Sequence, residues 1–221
     1  MKSATIPELP SAGLSMSHSF TDGTTTAFVR GFNAVERDAN YDQPHTLASR
    51  FASMLKHSLP LWKHPLLLPA ILLHHELAGI REYSRDKLRI GTQGIRQTLN
   101  TQEYEDLAEI LGGYNSDEAA RKKRSQFTTE VNNLLCGAIS IRRALQVARK
   151  SANFLLGVLD EISDSTFNDK VFGPGQADEK ADQEIKDWIR ALDNGAAGFE
   201  VGIDAIISTL GVQLDIVSQK M

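Results

Sequence analysis

Residues 127–162, FTTEVNNLLCGAISIRRALQVARKSANFLLGVLDEI, decide the fold. Phe127, Val131, Leu134, Ala138, Ile141, Leu145, Ala148, Ala152, Leu155, Leu159 and Ile162 succeed one another by alternating steps of four and three residues. A mean step of about 3.5 residues holds one stripe of a helix toward one partner, as in a coiled-coil seam of about five heptads. At 1.5 Å per residue the helix runs roughly 54 Å. Leu135 and Leu156 widen the stripe on one side, while Gly137, Ala144 and Ser151 keep the other side small. Ile139, Val147 and Phe154 lie off the stripe, where a two-stranded coiled coil places charges. A helix packed by several neighbours accounts for them better. The expected fold is therefore all-α, an elongated antiparallel helical bundle built around one long heptad-patterned helix.

Working outward, Asn115 or Ser116 caps that helix, Asp117 and Glu118 complement its dipole, and it spans about 116–164. Gly173-Pro174-Gly175 makes 165–177 a loop. A helix pair follows over 178–218, interrupted at Asn194-Gly195. Upstream, Glu103–Leu111 reads as a short helix ending at Gly112-Gly113, and Pro65 to Ile90 or beyond as a longer one, weakened by Gly91 and Gly94 and stopped at Asn100. Residues from Thr46 to His57 form another helix. A first helix starts at Thr24 to Thr26, with Phe28, Phe32 and Val35 on one face. Residues 1–22, rich in Pro, Ser and Thr, read as a flexible arm ahead of a single domain, 23–221. No stretch alternates as a strand does.

The 221 residues are 41% hydrophobic and carry a net charge of −4, which gives no general attraction to nucleic acid or anionic lipid. One cysteine, Cys136, excludes an internal disulfide and suits a reducing compartment. The first twenty residues hold no signal-like apolar run, and Pro65–Leu73 is far short of the about 20 residues that cross a bilayer. A soluble cytoplasmic protein with no membrane span is the expectation. Charge is uneven. Eight basic residues and only Glu130 fall between Arg121 and Lys150, whereas Asp160–Asp193 holds ten acidic and four basic residues. The acidic segment 178–187 is expected to fold back on Arg142, Arg143 or Arg149.

Chemistry-bearing residues are few. His74-His75-Glu76 is metal-capable, but helical ligands share a face at i and i+3 or i+4, and Ala78 and Gly79 stand there instead. Asp160, Glu161 and Asp164 have the spacing by which carboxylates on a helix can converge on a hard cation, with no second acidic motif to complete it. Both clusters remain weak metal candidates. Cys136 has no sequence-near base, and GxSxG, CxxC and HExxH are absent. Neither a catalytic residue nor a cofactor is assigned.

Over Phe28-Val-Arg-Gly-Phe-Asn-Ala-Val-Glu-Arg-Asp38 and His64-Pro-Leu-Leu-Leu-Pro69-Ala-Ile-Leu-Leu-His-His-Glu76, followed by the long helix, the chain resembles a group of uncharacterised filamentous-fungal helical proteins. Some of these are labelled CorA-like magnesium transporters. The resemblance covers roughly 24–165 and implies the cytosolic helical part of such a protein. The Gly-Met-Asn signature is absent, since methionine occurs only at 1, 16, 54 and 221. Three functions follow as expectations. The first is an interaction or regulatory module without catalysis, bound to a protein partner or to itself. The second, which the resemblance implies, is an ion-responsive domain. The third is an auxiliary enzyme or ligand-binding protein with a pocket near His74, His75 and Trp62.

Overall fold

In the computed structural model, residues 13–19, 22, 24–30, 47–100, 118–163 and 179–219 are described. Strands β1 (Gly13–Ser19) and β2 (Thr24–Arg30) precede five α-helical segments: α1 (Leu47–His57), α2 (Leu67–Tyr83), α3 (Ile90–Asn100), α4 (Glu118–Ser163) and α5 (Glu179–Gln219). A π-helical stretch, Ser84–Arg89, joins α2 to α3 without a break. The fold is an all-helical bundle with a minor two-stranded sheet. Contacts divide the chain into two units, one of residues 1–6, 80–146 and 198–221 and the other of 7–79 and 147–197.

In the second unit, His64 and Pro65 lie in the turn before α2, and Pro69 falls in the first turn, where a missing N–H costs nothing. Ala70 N–H donates to the Leu66 carbonyl at 3.0 Å as the helix begins. The core of this unit collects Leu67, Ile71 and Leu77 from α2, Ala148, Ala152 and Leu159 from α4, and Ile185 and Ile189 from α5. Helices α4 and α5 run antiparallel: Ser163, Asp160 and Arg149 of α4 bond Asp182, Lys186 and Asp193 of α5 in turn.

In the first unit, Ile95 of α3, Val131 of α4 and Leu210 of α5 form a buried cluster, with Phe127, Leu134 and Ile206 packed on it. Gln146 donates to Glu200 at 2.9 Å and Arg142 Nε to Asp204 at 2.9 Å, so the α4–α5 pairing is antiparallel here as well. Gly91 makes a close approach possible, because a Cβ there would collide with the Leu134 side chain. That contact explains a glycine inside a helix where sequence reading saw only weakness.

Most of the heptad stripe is buried, including Val131, Ile141, Leu145 and Leu159, while Leu134 and Leu155 are half-buried. The helix α1 ends at His57 as expected, and the described residues 90–100 and 118–163 are helical throughout. Segments 101–117 and 164–178, which hold the expected short helix and the loop, lie outside the described residues.

Several expectations are corrected. Thr24–Arg30 is a strand and not a helix start, and residues 13–19 of the expected arm are its antiparallel partner, in the register Gly13↔Arg30 to Ser19↔Thr24. Leu14, Met16 and His18 are half-buried while Ser15, Ser17 and Ser19 are exposed, the period of two that defines a half-buried strand. Three successive threonines favour the pleated partner, and His18 Nδ1 lies 2.7 Å from Thr25 Oγ1 across the pair. Phe28, expected on one face of a helix with Phe32 and Val35, stands in β2 and is 67% exposed.

Asn194-Gly195 does not stop α5, which is one helix of 41 residues. A mid-helix glycine costs roughly 1 kcal/mol, and the buried series Ile185, Ile189, Leu192, Ala196, Ile203 and Leu210 outweighs that. The basic residues of α4 meet acids farther along α5 than expected. Arg149 pairs with Asp193 and Arg142 with Asp204, because the antiparallel register sets Asp182 and Lys186 against Ser163 and Asp160 instead. Such half-exposed pairs contribute about 0–1 kcal/mol each. Val147 and Phe154 are not covered but 62% and 69% exposed. Separately, α5 holds an 18-residue window of mean hydropathy 1.3, a composition that membrane spans and the core helices of bundles share.

Leu145→Ala should lower stability by about 2–5 kcal/mol, read as a fall in the chemical unfolding midpoint, since a fully buried leucine leaves a cavity. Two glycines should respond oppositely in thermal melts. Gly202→Ala, with open space at its Cβ, should stabilise by about 0.5–1 kcal/mol, whereas Gly91→Ala should destabilise by driving Leu134 aside.

Candidate functional site

The three residues of the His74-His75-Glu76 cluster sit in three environments within the second unit. His75 is buried and stacks on Phe51 of α1, with ring centroids 6.0 Å apart and planes at 25°. His74 lies edge-on to Trp188 of α5 at 6.0 Å and 61°, and the two imidazoles are 6.4 Å apart at 81°. Phe51, His75, His74 and Trp188 thus form a row of rings across three helices. Burial holds the His75 pKa below the usual histidine range, reinforced by the charges of His74 and Arg50. Its Nε2 is buried without a hydrogen-bond partner among the described residues.

Glu76 turns elsewhere. It lines a cleft of about 710 Å³ formed by Leu14 and Met16 of β1, Leu72 and Leu73 of α2, and Val147, Lys150, Phe154 and Val158 of α4. Desolvation raises its carboxyl above the usual glutamate range. On α4, Val147, Ser151, Phe154 and Val158 recur at steps of four, three and four, so they form a second stripe beside the buried seam. His74, His75 and Trp62, near which a pocket was expected, do not line this cleft, whereas the neighbouring Glu76 does. Trp62 instead donates its indole N–H to the Leu55 carbonyl at 2.7 Å, closing the end of α1.

Asp160 is exposed and bonds Lys186 Nζ at 2.6 Å, a contact that lowers its pKa, while Glu161 is exposed and Asp164 lies outside the described residues. Among the described residues no three His, Cys, Asp or Glu side chains gather as metal ligands. Cys136 is exposed.

Sequence reading missed a polar clamp. His64 Nδ1 accepts the Leu66 N–H at 3.1 Å, which leaves the proton on Nε2 to donate to Asp182 Oδ1 at 3.1 Å. Ser163 donates to the other carboxylate oxygen at 3.1 Å. A nucleophilic triad needs the imidazole on the serine; here the carboxylate stands between them, so the serine oxygen has no base. The group instead ties the end of α4, the start of α5 and the turn before α2 together. The His64 hydrogen bond, against partial burial, lowers the Asp182 pKa. No local signal could have joined residues 64 and 182.

No family model, no curated protein and no solved structure matches the chain.

Glu76→Gln should raise the melting temperature at neutral pH. With a raised folded pKa, the stability that Glu76 contributes is complete below the ordinary glutamate range and is lost as pH rises through the elevated value. The advantage of the variant should therefore fade on acidification, and thermal melts from pH 4 to 8 check both halves. His75 acts in the other sense: its depressed pKa gives stability present above the ordinary histidine range and lost as pH falls.

Proposed function

We propose that this protein is a helical interaction module that acts without catalysis of its own and docks an amphipathic helix in the cleft of β1, α2 and α4. One observation carries the reading: Phe154 and Val147, two large apolar side chains, stand more than 60% exposed along a cleft whose wall includes Leu14, Leu66, Leu72, Leu73 and Leu155. Burying such residues releases about 25 cal/mol per Å² of apolar surface, and an exposed aromatic beside a pocket is the usual anchor of an interface. The stripe Val147, Ser151, Phe154 and Val158 has the periodicity of a helix-in-groove seat. Lys150 and Glu76 add one charge of each sign at the groove, giving an incoming helix a direction.

A photo-crosslinking residue placed at position 154 tests this in cells of the native host. One discrete adduct should form, and Val147→Glu in the same chain should reduce it at least tenfold. Sedimentation of the purified chain identifies self-association, since a dimer through this cleft should dissociate on Phe154→Glu. Crosslinking without a discrete adduct, together with a monomer unaffected by either change, would overturn the reading.

A further inference from the structure

A second cleft, of about 470 Å³, lies in the first unit and has a different chemistry. Among the described residues its lining includes Arg81, Arg85 and Arg89 and no carboxylate, in a chain of net charge −4. The arginines fall at every fourth position. An α-helix drifts forward over such steps, but the π-helical stretch Ser84–Arg89 has a wider i→i+5 turn that returns the later positions toward the same face. All three arginines therefore line the cleft, their aliphatic stems contributing to a wall that is mostly apolar.

The polar groups between them are set for a ligand. Ser84 is 5% exposed and supplies a buried hydroxyl to the lining. Gln213 Oε1 is buried in the same lining with no partner among the described residues, a polar cost that a bound group could relieve, either by donating to it or by the amide turning over to offer its N–H atoms. Thr92 and Thr209 spend their protons on the Leu88 and Ala205 carbonyls at 2.7 and 2.8 Å, so donation falls to Arg81, Arg89, Ser84 and Gln213. Phe199, Ile206 and Leu210 make the opposing wall apolar.

We propose that this cleft binds an amphiphile with a phosphoryl head, the head on the arginines and the apolar body against Phe199, Ile206 and Leu210. A carboxylate occupies one guanidinium fork, whereas a phosphoryl group has enough acceptor oxygens for two forks and the Ser84 hydroxyl. The volume is that of a small-molecule site. Neither the protein partner proposed above nor its cleft enters this inference.

Calorimetric titration of the full chain with octyl phosphate, kept below its micelle-forming concentration, tests the proposal. One saturable site per chain is expected, with octanoate, octanol and inorganic phosphate each at least tenfold weaker. Arg81→Gln combined with Arg89→Gln should weaken octyl phosphate at least tenfold, while Arg143→Gln, outside the lining, should leave it unchanged. The paired arginines are exposed, and a circular dichroism melt checks that the double variant folds. Should it not fold, Ser84→Ala carries the test with an expected loss of at least threefold. Sedimentation with phosphatidic acid vesicles separates the sources: binding lost in the double variant assigns a lipid head, and octyl phosphate binding without vesicle binding assigns a free phosphate ester. The proposal is overturned by the absence of a saturable site, by inorganic phosphate or octanol binding as tightly as octyl phosphate, by vesicle binding without octyl phosphate binding, or by unchanged affinity in the variants.

Discussion

Burial of one stripe of α4 is the constraint on which the remaining structure rests. Val131, Ile141, Leu145 and Leu159 are almost wholly removed from solvent, and each such side chain stabilises by about 1.5–3 kcal/mol relative to exposure. An antiparallel partner meets that demand, and α5 answers with isoleucines and leucines at matching intervals. The polar pairs beside the stripe set the register rather than the stability. Asp160 with Lys186 and Arg142 with Asp204 are exposed or half-exposed, and sliding α5 by one turn would separate both while leaving apolar residues to bury.

What could be read from residue order was what depends on local period. The heptad stripe marked α4, and the prolines around Leu66 marked the start of the second long helical run. The hairpin was lost because Phe28, Phe32 and Val35 keep helical steps, whereas its own signal is seven residues on each side, and Thr24–Thr26 suits a strand only once a partner exists. Asn194-Gly195 looked like a terminus because a weak local preference was read without the tertiary burial that overrides it.

The candidate sites were less legible for a related reason. His74 and His75 attracted attention as potential ligands, but their rings pack on Phe51 and Trp188, residues far away in sequence. The cleft bordering Glu76 draws on β1, α2 and α4, and no spacing along one element reveals it. Val147 and Phe154 were visible as apolar residues outside the seam; whether a neighbour covers them depends on which elements are present on that side of α4. The arginine row at 81, 85 and 89 follows helical spacing, yet its alignment relies on a π turn that composition does not announce.

The clamp at His64 also orders events in time. Its hydrogen bond to Asp182 spans 118 residues, whereas Lys186 and Asp160 close a segment of 26. Loop-closure entropy grows as the logarithm of length, which makes the longer closure costlier by about 1.3 kcal/mol. The α4–α5 hairpin is then the cheaper encounter for an unfolded chain, and the turn before α2 joins a scaffold already in place. The two rates of a His64→Ala chain report the order directly: a contact made after the rate-limiting step raises the unfolding rate on removal, and one made before it slows folding.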